Sequence, residues 1–325
     1  MKAKSLKGKK ISRAILFINR KKKLARELGD AIQKELASFD ISSDIFCFKG
    51  KPDFATRSGY DVAISLGGDG TVLFAARTIS PLGVPIFPVN LGTFGFIAGV
   101  QPSRWQQDFR QWLGGELHVS RRLMLELAVE RCGNEVLRGC CLNDLVISAS
   151  GIAKTINLRA SYCESSSFAG GKKNSKPGSA LKLGFYRSDG LIVSTPTGST
   201  AYSVAAGGPI VDPEMEAVIL NPICPFTLSH RPMVLPADET LLVEVEKEQR
   251  SGVLLTVDGQ VTEKLKNGDR IYIKKAPFYC LLIASGRTGF YETLRTKLVW
   301  AGGSNSENKT PNMAEAIVKG GSPHA

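Results

Sequence analysis

The sequence predicts two parts. The first is an N-terminal α/β domain built on an open, mostly parallel sheet, and the second is a C-terminal domain that is mostly β and sandwich-like. Three observations carry this reading. Short β-branched apolar runs alternate with amphipathic stretches over roughly the first 120 residues. One of these runs, Val62 to Leu66, stops at Gly67-Gly68-Asp69-Gly70, a strand ending in a bare loop where ligands bind in open parallel sheets. After Gly114-Gly115 the texture changes to a succession of short β-like segments.

Taken in order, residues 1–10 form a basic arm, and 11–120 form the α/β domain. Within it Ile15 to Ile18 gives a strand, and Leu24, Leu28, Ile32 and Leu36 fall at four-residue steps that mark a helix with one apolar face. A second strand lies near Asp44 to Phe48. Val62 to Leu66 follows, then a helical stretch from Thr71 to Ile79. Val84 to Val89 forms a further strand that runs into a second glycine-rich loop, Asn90 to Phe96.

The second domain spans 121–285, with β segments at Leu125–Val129, Leu142–Ser148, Ile152–Tyr162, Leu181–Tyr186, Leu191–Ser194, Leu241–Val245, Val253–Val257, Ile271–Ile273 and Phe278–Ile283. The polar, low-complexity stretch from 163 to 180 reads as a mobile loop. Residues 286–300 return to helix-like spacing against the first domain, and 301–325 read as a disordered tail.

Of the formal net charge of +12, eleven Lys or Arg lie within residues 1–26, which hold no acid; the rest of the chain carries +1. The basic excess is therefore an N-terminal feature, and composition offers no general nucleic-acid surface. The longest uncharged span, between Arg77 and Arg104, is broken by Pro81, Pro85, Pro88 and Pro102 and by four glycines, which excludes a membrane helix. Seven cysteines without a CxxC pair, and histidines scattered at 118, 230 and 324, suggest neither a disulfide framework nor a zinc site. Scattered thiols fit a reducing cytoplasm.

Two stretches carry chemistry. In the 67–70 loop the glycines let main-chain N–H groups approach an anion, but Asp69 at its centre would repel phosphate unless it held a hydroxyl, a proton or a metal. Chemistry is thus the sharper reading, with an ordinary strand-closing turn as the plain alternative. The second stretch, uncharged between Asp189 and Asp212, contains Ser194-Thr195-Pro196-Thr197-Gly198-Ser199-Thr200-Ala201-Tyr202. It suits a strand running into a helix that starts near Ser199, with backbone and hydroxyl donors for a polar ligand and Tyr202 to border a base. Asp258-Gly259-Gln260 has the residues of a type I′ hairpin turn.

Leu66-Gly67-Gly68-Asp69-Gly70-Thr71, the Asn90–Phe96 loop, Asn143-Asp144, and Asp189-Gly190 leading into the Ser194–Tyr202 block together closely resemble the bacterial NAD kinases over roughly residues 11 to 300. The glycine–aspartate loop is shared with lipid kinases and phosphofructokinases; the hydroxyl-rich block with Asn-Asp is much more specific. The resemblance implies NAD lying between two domains and phosphoryl transfer from a nucleoside triphosphate, ATP or another donor, to the 2′-hydroxyl of its adenosine ribose. Asp69 would orient that hydroxyl and take its proton late in a transfer dominated by positioning. Gly67, Gly68, Gly70 and Thr71 would approach phosphates, and a divalent cation, Mg²⁺, would come with the donor rather than sit in a protein cage.

By the same resemblance Asn143 and Asp144 would hold NAD, Asp189 a polar group on the nicotinamide side, and Thr197, Thr200, Ala201, Tyr202, Ser203 and Ala205 would wrap the dinucleotide. Lys154 and Arg187 would meet its phosphates or simply stand on solvated faces. Phe96 would border the adenine or fill the core, and Gln260 would reach nucleotide with help from a neighbouring subunit of a homodimer or homotetramer. Neither nucleic acid nor a membrane is an expected partner. Asp212 and Phe226 stand where many relatives carry His, which bears on subunit contacts and regulation rather than chemistry. Two other readings are a lipid kinase, which the hydroxyl-rich block argues against, and a dinucleotide-binding regulator without catalysis, which Asp69 argues against. In the second case any DNA-dependent behaviour would vanish on removal of residues 1–10.

Overall fold

The computed structural model describes residues 11–19, 23–48, 58–92, 95–163, 181–227, 229–283 and 287–298. The arm over 1–10, the segment 164–180, the tail 301–325, and Thr93 and Phe94 of the second glycine loop lie outside the described residues.

The first half runs β1 (Arg13–Asn19), α1 (Lys23–Ser38), β2 (Ser42–Phe48), β3 (Val62–Gly67), α2 (Asp69–Ile79), β4 (Ile86–Asn90) and α3 (Trp105–Leu113). The strands lie parallel in the order β2-β1-β3-β4. Every residue of β3 and β4 is buried, as expected for a parallel sheet covered on both faces. On one face Leu16, Ile18, Ile64 and Leu66 pack with Ile32 and Leu36 of α1 and with Trp105, Phe109 and Trp112 of α3. On the other, Ile15, Phe17 and Ala63 pack with Val72, Ala75 and Ile79 of α2.

Leu24 does not join this core: it is 53% exposed, and Ala25 takes the buried place. A four-residue step overshoots the 3.6-residue turn by roughly 40°, so the predicted stripe drifts around the helix and Leu24 leaves the buried face. At Gly29, where α1 meets β1, a Cβ would stand 2.6 Å from the terminal methyl of Ile18 and would displace it.

The second half comprises β5 (Val119–Arg131), β6 (Asn134–Cys141), β7 (Asp144–Ala149), β8 (Ile156–Cys163), β9 (Lys182–Ser188), β10 (Gly190–Ser194), α4 (Tyr202–Ala205), β11 (Ala217–Ile223), β12 (Met233–Pro236), β13 (Thr240–Val245), β14 (Val253–Val257), β15 (Val261–Leu265), β16 (Arg270–Ile283) and α5 (Arg287–Leu298). Strands β12-β11-β10-β7-β14-β15 form a six-stranded antiparallel sheet. It faces the antiparallel part of the larger sheet, with Leu125, Leu127, Ile147, Leu158, Val193, Leu220, Leu255 and Ile271 among the side chains between them. The sandwich expected from the sequence is present.

Several sequence expectations are corrected. Ile152 is 97% exposed, and the strand predicted from 152 begins at Ile156. The helix expected to start near Ser199 is a 3₁₀ turn over Thr197–Thr200 followed by the single turn of α4. The segments predicted at 271–273 and 278–283 are one fourteen-residue strand, β16, with a register shift between Lys275 and Tyr279. Its first part pairs with β13 and β5, and near its end Leu282 pairs in parallel with Ile86 of β4. The two halves therefore share one continuous ten-stranded sheet.

Leu282 is fully buried at that junction. Replacing it with Ala is expected to cost about 2–5 kcal/mol, the range for deleting a buried leucine side chain. Urea unfolding measures this, and an unfolding free energy unchanged to within about 0.5 kcal/mol, the scale of a surface substitution, would show that the β4–β16 junction is not core.

Candidate active site

Because β3 ends at Gly67 and α2 begins at Asp69, the carboxylate occupies the first position of a helix, where the unpaired N–H groups and the helix dipole favour negative charge. The chain after the second glycine loop folds over it. Asp69 Oδ2 accepts a hydrogen bond from the Phe96 N–H at 2.9 Å, and Oδ1 accepts from Ile97 at 3.2 Å and Ala98 at 3.0 Å. This close approach needs Gly95, since a Cβ there would lie 1.9 Å from Asp69 Oδ1. A carboxylate has about four acceptor positions; with three taken by fixed amides, roughly one remains for a further donor.

Gly67 is equally constrained, because a Cβ would meet Thr71 Oγ1 at 2.0 Å; Gly68, by contrast, has open space where a Cβ would stand. Phe96 contributes its backbone N–H to Asp69 while its half-buried ring lies 6.3 Å from that of Phe290 on α5.

Asn143 and Asp144 are both buried, at the start of β7. The hydroxyl-rich block is wound around them: Thr195 donates its N–H to the Asn143 carbonyl and its hydroxyl to that of Leu142, and Ser194 Oγ also donates to Asn143. Gly198 sits so close that a Cβ would be 2.1 Å from the Asn143 carbonyl oxygen. Ser199 and Thr200 donate to carbonyls of the same turn, and Ser203 accepts from the Asn221 amide. Most hydroxyls of the block thus hold its own fold.

The exceptions are informative. Thr71 Oγ1, Asn143 Oδ1 and Thr197 Oγ1 are buried without a hydrogen-bond partner among the described residues. Buried polar atoms are normally paired, so these three sequence-predicted residues keep unused hydrogen-bonding capacity, as do Ser65, Tyr162 and Asn221 outside the predicted site. Tyr202 is half exposed beside them, and its N–H reaches the Asp144 carboxylate.

A connection that the sequence reading missed joins the two groups. Arg77, on the last turn of α2, donates from Nη1 to Asp258 Oδ2 at 2.8 Å and from Nη2 to Gln260 Oε1. Gln260 Nε2 in turn donates to the Gly70 carbonyl at 2.7 Å. Asp258, whose side chain has no exposure, also accepts from the backbone N–H groups of Leu142, Asn143 and Asp144 at 3.2, 2.8 and 3.3 Å. Positive φ at Asp258 (48°) and Gly259 (65°) gives the I′ conformation expected of this hairpin. The cation at the end of a helix and the carboxylate in a turn each look ordinary in sequence; only their meeting is distinctive.

Burial raises both carboxyls, Asp144 and Asp258, and Asp258 raises Asp144 further. Arg77 and the amides oppose this at Asp258, so Asp144 is the group that takes the proton, pushed from near 3.8 up to about 7 by burial first and by Asp258 second.

Lys154, Arg187 and Asp189 lie elsewhere. Ser194 pairs with Asp144 at one end of β10, and Gly190 with Ser148 at the other, so Asp189 is about 16 Å of strand away from Asp144. Arg187 is exposed and stacks over the Phe226 ring at 4.6 Å; Lys154 is exposed in the turn after β7. Ala201, beside Tyr202, is half-buried, and Ala205, at the end of α4, is exposed.

A glycine-cradled acidic loop on a parallel sheet, linked through a buried ion pair to a β sandwich, defines a two-part nucleotide-site architecture. Residues 12–117 match the ATP-NAD kinase N-terminal domain and 179–285 the ATP-NAD kinase C-terminal domain. The chain is 37% identical over 298 residues to the NAD kinase of Treponema denticola, covering 91% of this chain and 99% of that one. It is 40% identical over 240 residues to the NAD kinase of Citrifermentans bemidjiense, covering 74% and 78%. The chain belongs to the ATP-NAD kinase family. Among solved structures, the fold is similar to that of yeast NADH kinase complexed with NADH (TM-score 0.76, 21% identity, 92% and 91% coverage). It is also similar to that of an Archaeoglobus fulgidus NAD kinase in complex with ATP (TM-score 0.64, 23% identity, 88% and 98% coverage).

The Asp144 carboxyl has a consequence for stability. The folded chain keeps this proton up to about pH 7 whereas the unfolded chain releases it near 3.8, so folding takes up a proton between these values. Its contribution therefore disfavours the fold increasingly as pH rises through that window, by up to about 4 kcal/mol at 1.36 kcal/mol per pKa unit. Asp144→Asn is expected to raise the unfolding free energy at pH 8 and leave it nearly unchanged at pH 4, as read by urea unfolding without nucleotide. Equal effects at both pH values would remove the buried carboxyl from the account.

Proposed function

We propose that this protein is an NAD kinase: it transfers the terminal phosphoryl group of ATP to the 2′-hydroxyl of the adenosine ribose of NAD, giving NADP. The observation that carries the reading is the Asp69 carboxylate held by three backbone amides, with its remaining acceptor position free for a substrate hydroxyl. In a loose phosphoryl-transfer transition state the nucleophile needs orientation more than a strong base. Asp69 accepts the hydrogen bond of the 2′-hydroxyl, fixes its lone pair toward the phosphorus, and receives the proton as the new P–O bond forms and the bond to the leaving diphosphate oxygen breaks. Main-chain groups of Gly67, Gly68 and Gly70 line the phosphate path, and the buried atoms Thr71 Oγ1, Asn143 Oδ1 and Thr197 Oγ1 gain partners from the bound substrates.

Among the described residues no group of three His, Cys, Asp or Glu side chains is placed to hold a metal. Mg²⁺ is assigned to the triphosphate, whose phosphate oxygens supply its ligands and with which it enters as part of the donor. Asn143, Asp144, Thr200, Ala201, Tyr202, Ser203 and Ala205 are assigned to NAD, with Gln260 beside the phosphate loop. Phe96 is assigned a backbone role at Asp69. Lys154, Arg187 and Asp189, away from Asp144, meet the dinucleotide only if it extends toward them or across a subunit boundary in a homodimer or homotetramer. The division into an α/β part to residue 120, a β part to 285 and a returning segment to 300 stands as part of this proposal. No helix among the described residues is long and apolar enough to cross a membrane, and the seven cysteines are free thiols; a cytoplasmic site of action fits both.

Purified protein with NAD, ATP and Mg²⁺ is expected to form NADP, and chelation of Mg²⁺ to stop it. Asp69→Asn should lower kcat by about 10²-fold or more, the scale of a positioned acid or base. Gly95→Ala should lower it comparably, because the added methyl displaces the Asp69 carboxylate. NAD bound without NADP formed, with either ATP or polyphosphate as donor and with NADH as alternative acceptor, would favour a dinucleotide-sensing regulator instead.

A further inference from the structure

The hydrogen-bonded chain through Arg77 is longer than a structural ion pair requires. It starts at the Gly70 carbonyl, one residue from Asp69, passes through Gln260 to Arg77, crosses to Asp258, and ends on the amides of Leu142, Asn143 and Asp144. Each link is a polar contact of fixed direction, and both terminal guanidinium nitrogens are used, Nη1 toward Asp258 and Nη2 toward Gln260. The group is largely shielded from water: the Arg77 side chain is 13% exposed and that of Asp258 not at all. Arg77 also accepts a contact on its own carbonyl from Cys140 Sγ at 3.8 Å, on β6, so the helix end is anchored on the sandwich from two directions.

From this geometry we infer that Arg77 is a positioning residue for phosphoryl transfer, setting the distance and angle between the Asp69 loop and the Asn143-Asp144 strand start without touching either substrate. This rests on the kinase reading above, in which Asp69 orients the hydroxyl and Asn143-Asp144 hold the dinucleotide that bears it. The planar fork of Arg is needed because one arm sees a carboxylate and the other an amide oxygen. A lysine supplies a single point charge, keeps the pair with Asp258, and releases Gln260.

The test uses Arg77→Lys, Arg77→Met and Gln260→Met in the full chain, measuring kcat, KM for NAD and for ATP, the Kd of NAD by calorimetry, and the thermal midpoint. Arg77→Met is expected to lower kcat by about 10²-fold, the scale at which a displacement near 1 Å reduces turnover, while the Kd of NAD moves less than about threefold. Arg77→Lys should recover part of kcat. Gln260→Met, which spares the buried ion pair, should lower kcat about tenfold with the midpoint unchanged; this variant keeps the inference testable should Arg77→Met fail to fold. The inference is overturned if folded Arg77→Met or Gln260→Met keeps kcat within twofold, or if the whole loss lies in the Kd of NAD. Failure of the wild type to form NADP would instead count against the kinase reading itself.

Discussion

The site depends on the burial of one negative charge. Asp258 has no contact with water, and a carboxylate removed from water is costly unless charge and hydrogen bonds replace the lost hydration. Here the replacement is nearly complete: one guanidinium arm and three backbone N–H groups converge on its two oxygens. Removing one partner of such a pair typically costs about 3–5 kcal/mol, although an apolar substitute for the whole pair would often be as stable. What a hydrophobic substitute would not supply is direction. The pair fixes which residue of α2 faces which residue of the sandwich, and that register links the Asp69 loop and Asn143-Asp144 through one hydrogen-bonded network.

Asp144 shows the complementary case. It is as buried as its neighbours, but its counterpart is another carboxylate, and among the groups acting on it only the Tyr202 N–H favours its charged form. Two carboxyls in one low-dielectric region are driven apart in protonation, and the one facing Arg77 retains the charge. A group held near neutrality in protonation, beside a predicted dinucleotide contact, is the kind of destabilised feature that accumulates at binding sites rather than in cores.

How much of this was legible in the sequence follows from how local each signal is. β3, the glycine loop and α2 were readable because their apolar run and their glycines lie within twenty residues of one another. Four strands escaped: β6 (Asn134–Cys141) and β15 (Val261–Leu265) are outer strands with several exposed or charged positions and lack the alternation that marks a half-buried strand, whereas β11 (Ala217–Ile223) is a buried run broken by Pro222 and β12 (Met233–Pro236) is only four residues long. α3 had a usable signal: Trp105, Phe109 and Trp112 fall at helical spacing and all three are buried. β16 read as two segments because Pro277 interrupts it; the structure absorbs the proline at the register shift, where the sheet tolerates a missing donor. The contact of Arg77 with Asp258 spans 181 positions in sequence, and neither residue type is unusual where it stands. No local pattern contains it.

The continuity of β16 bears on how the site works. A crevice between two domains joined only by loops would have to be closed by the substrates, and part of their binding energy would go into ordering it. In this chain a fourteen-residue strand runs from the antiparallel part of the larger sheet into the parallel part, its end buried beside β4, and the Arg77 network ties α2 to the β14–β15 turn of the six-stranded sheet. Two connections at separate points oppose rotation as well as separation. Phosphoryl transfer gains most from placement of the nucleophile and the phosphorus and least from covalent help, and a scaffold that fixes the Asp69 carboxylate, its three amides and the start of β7 through the fold itself suits that demand.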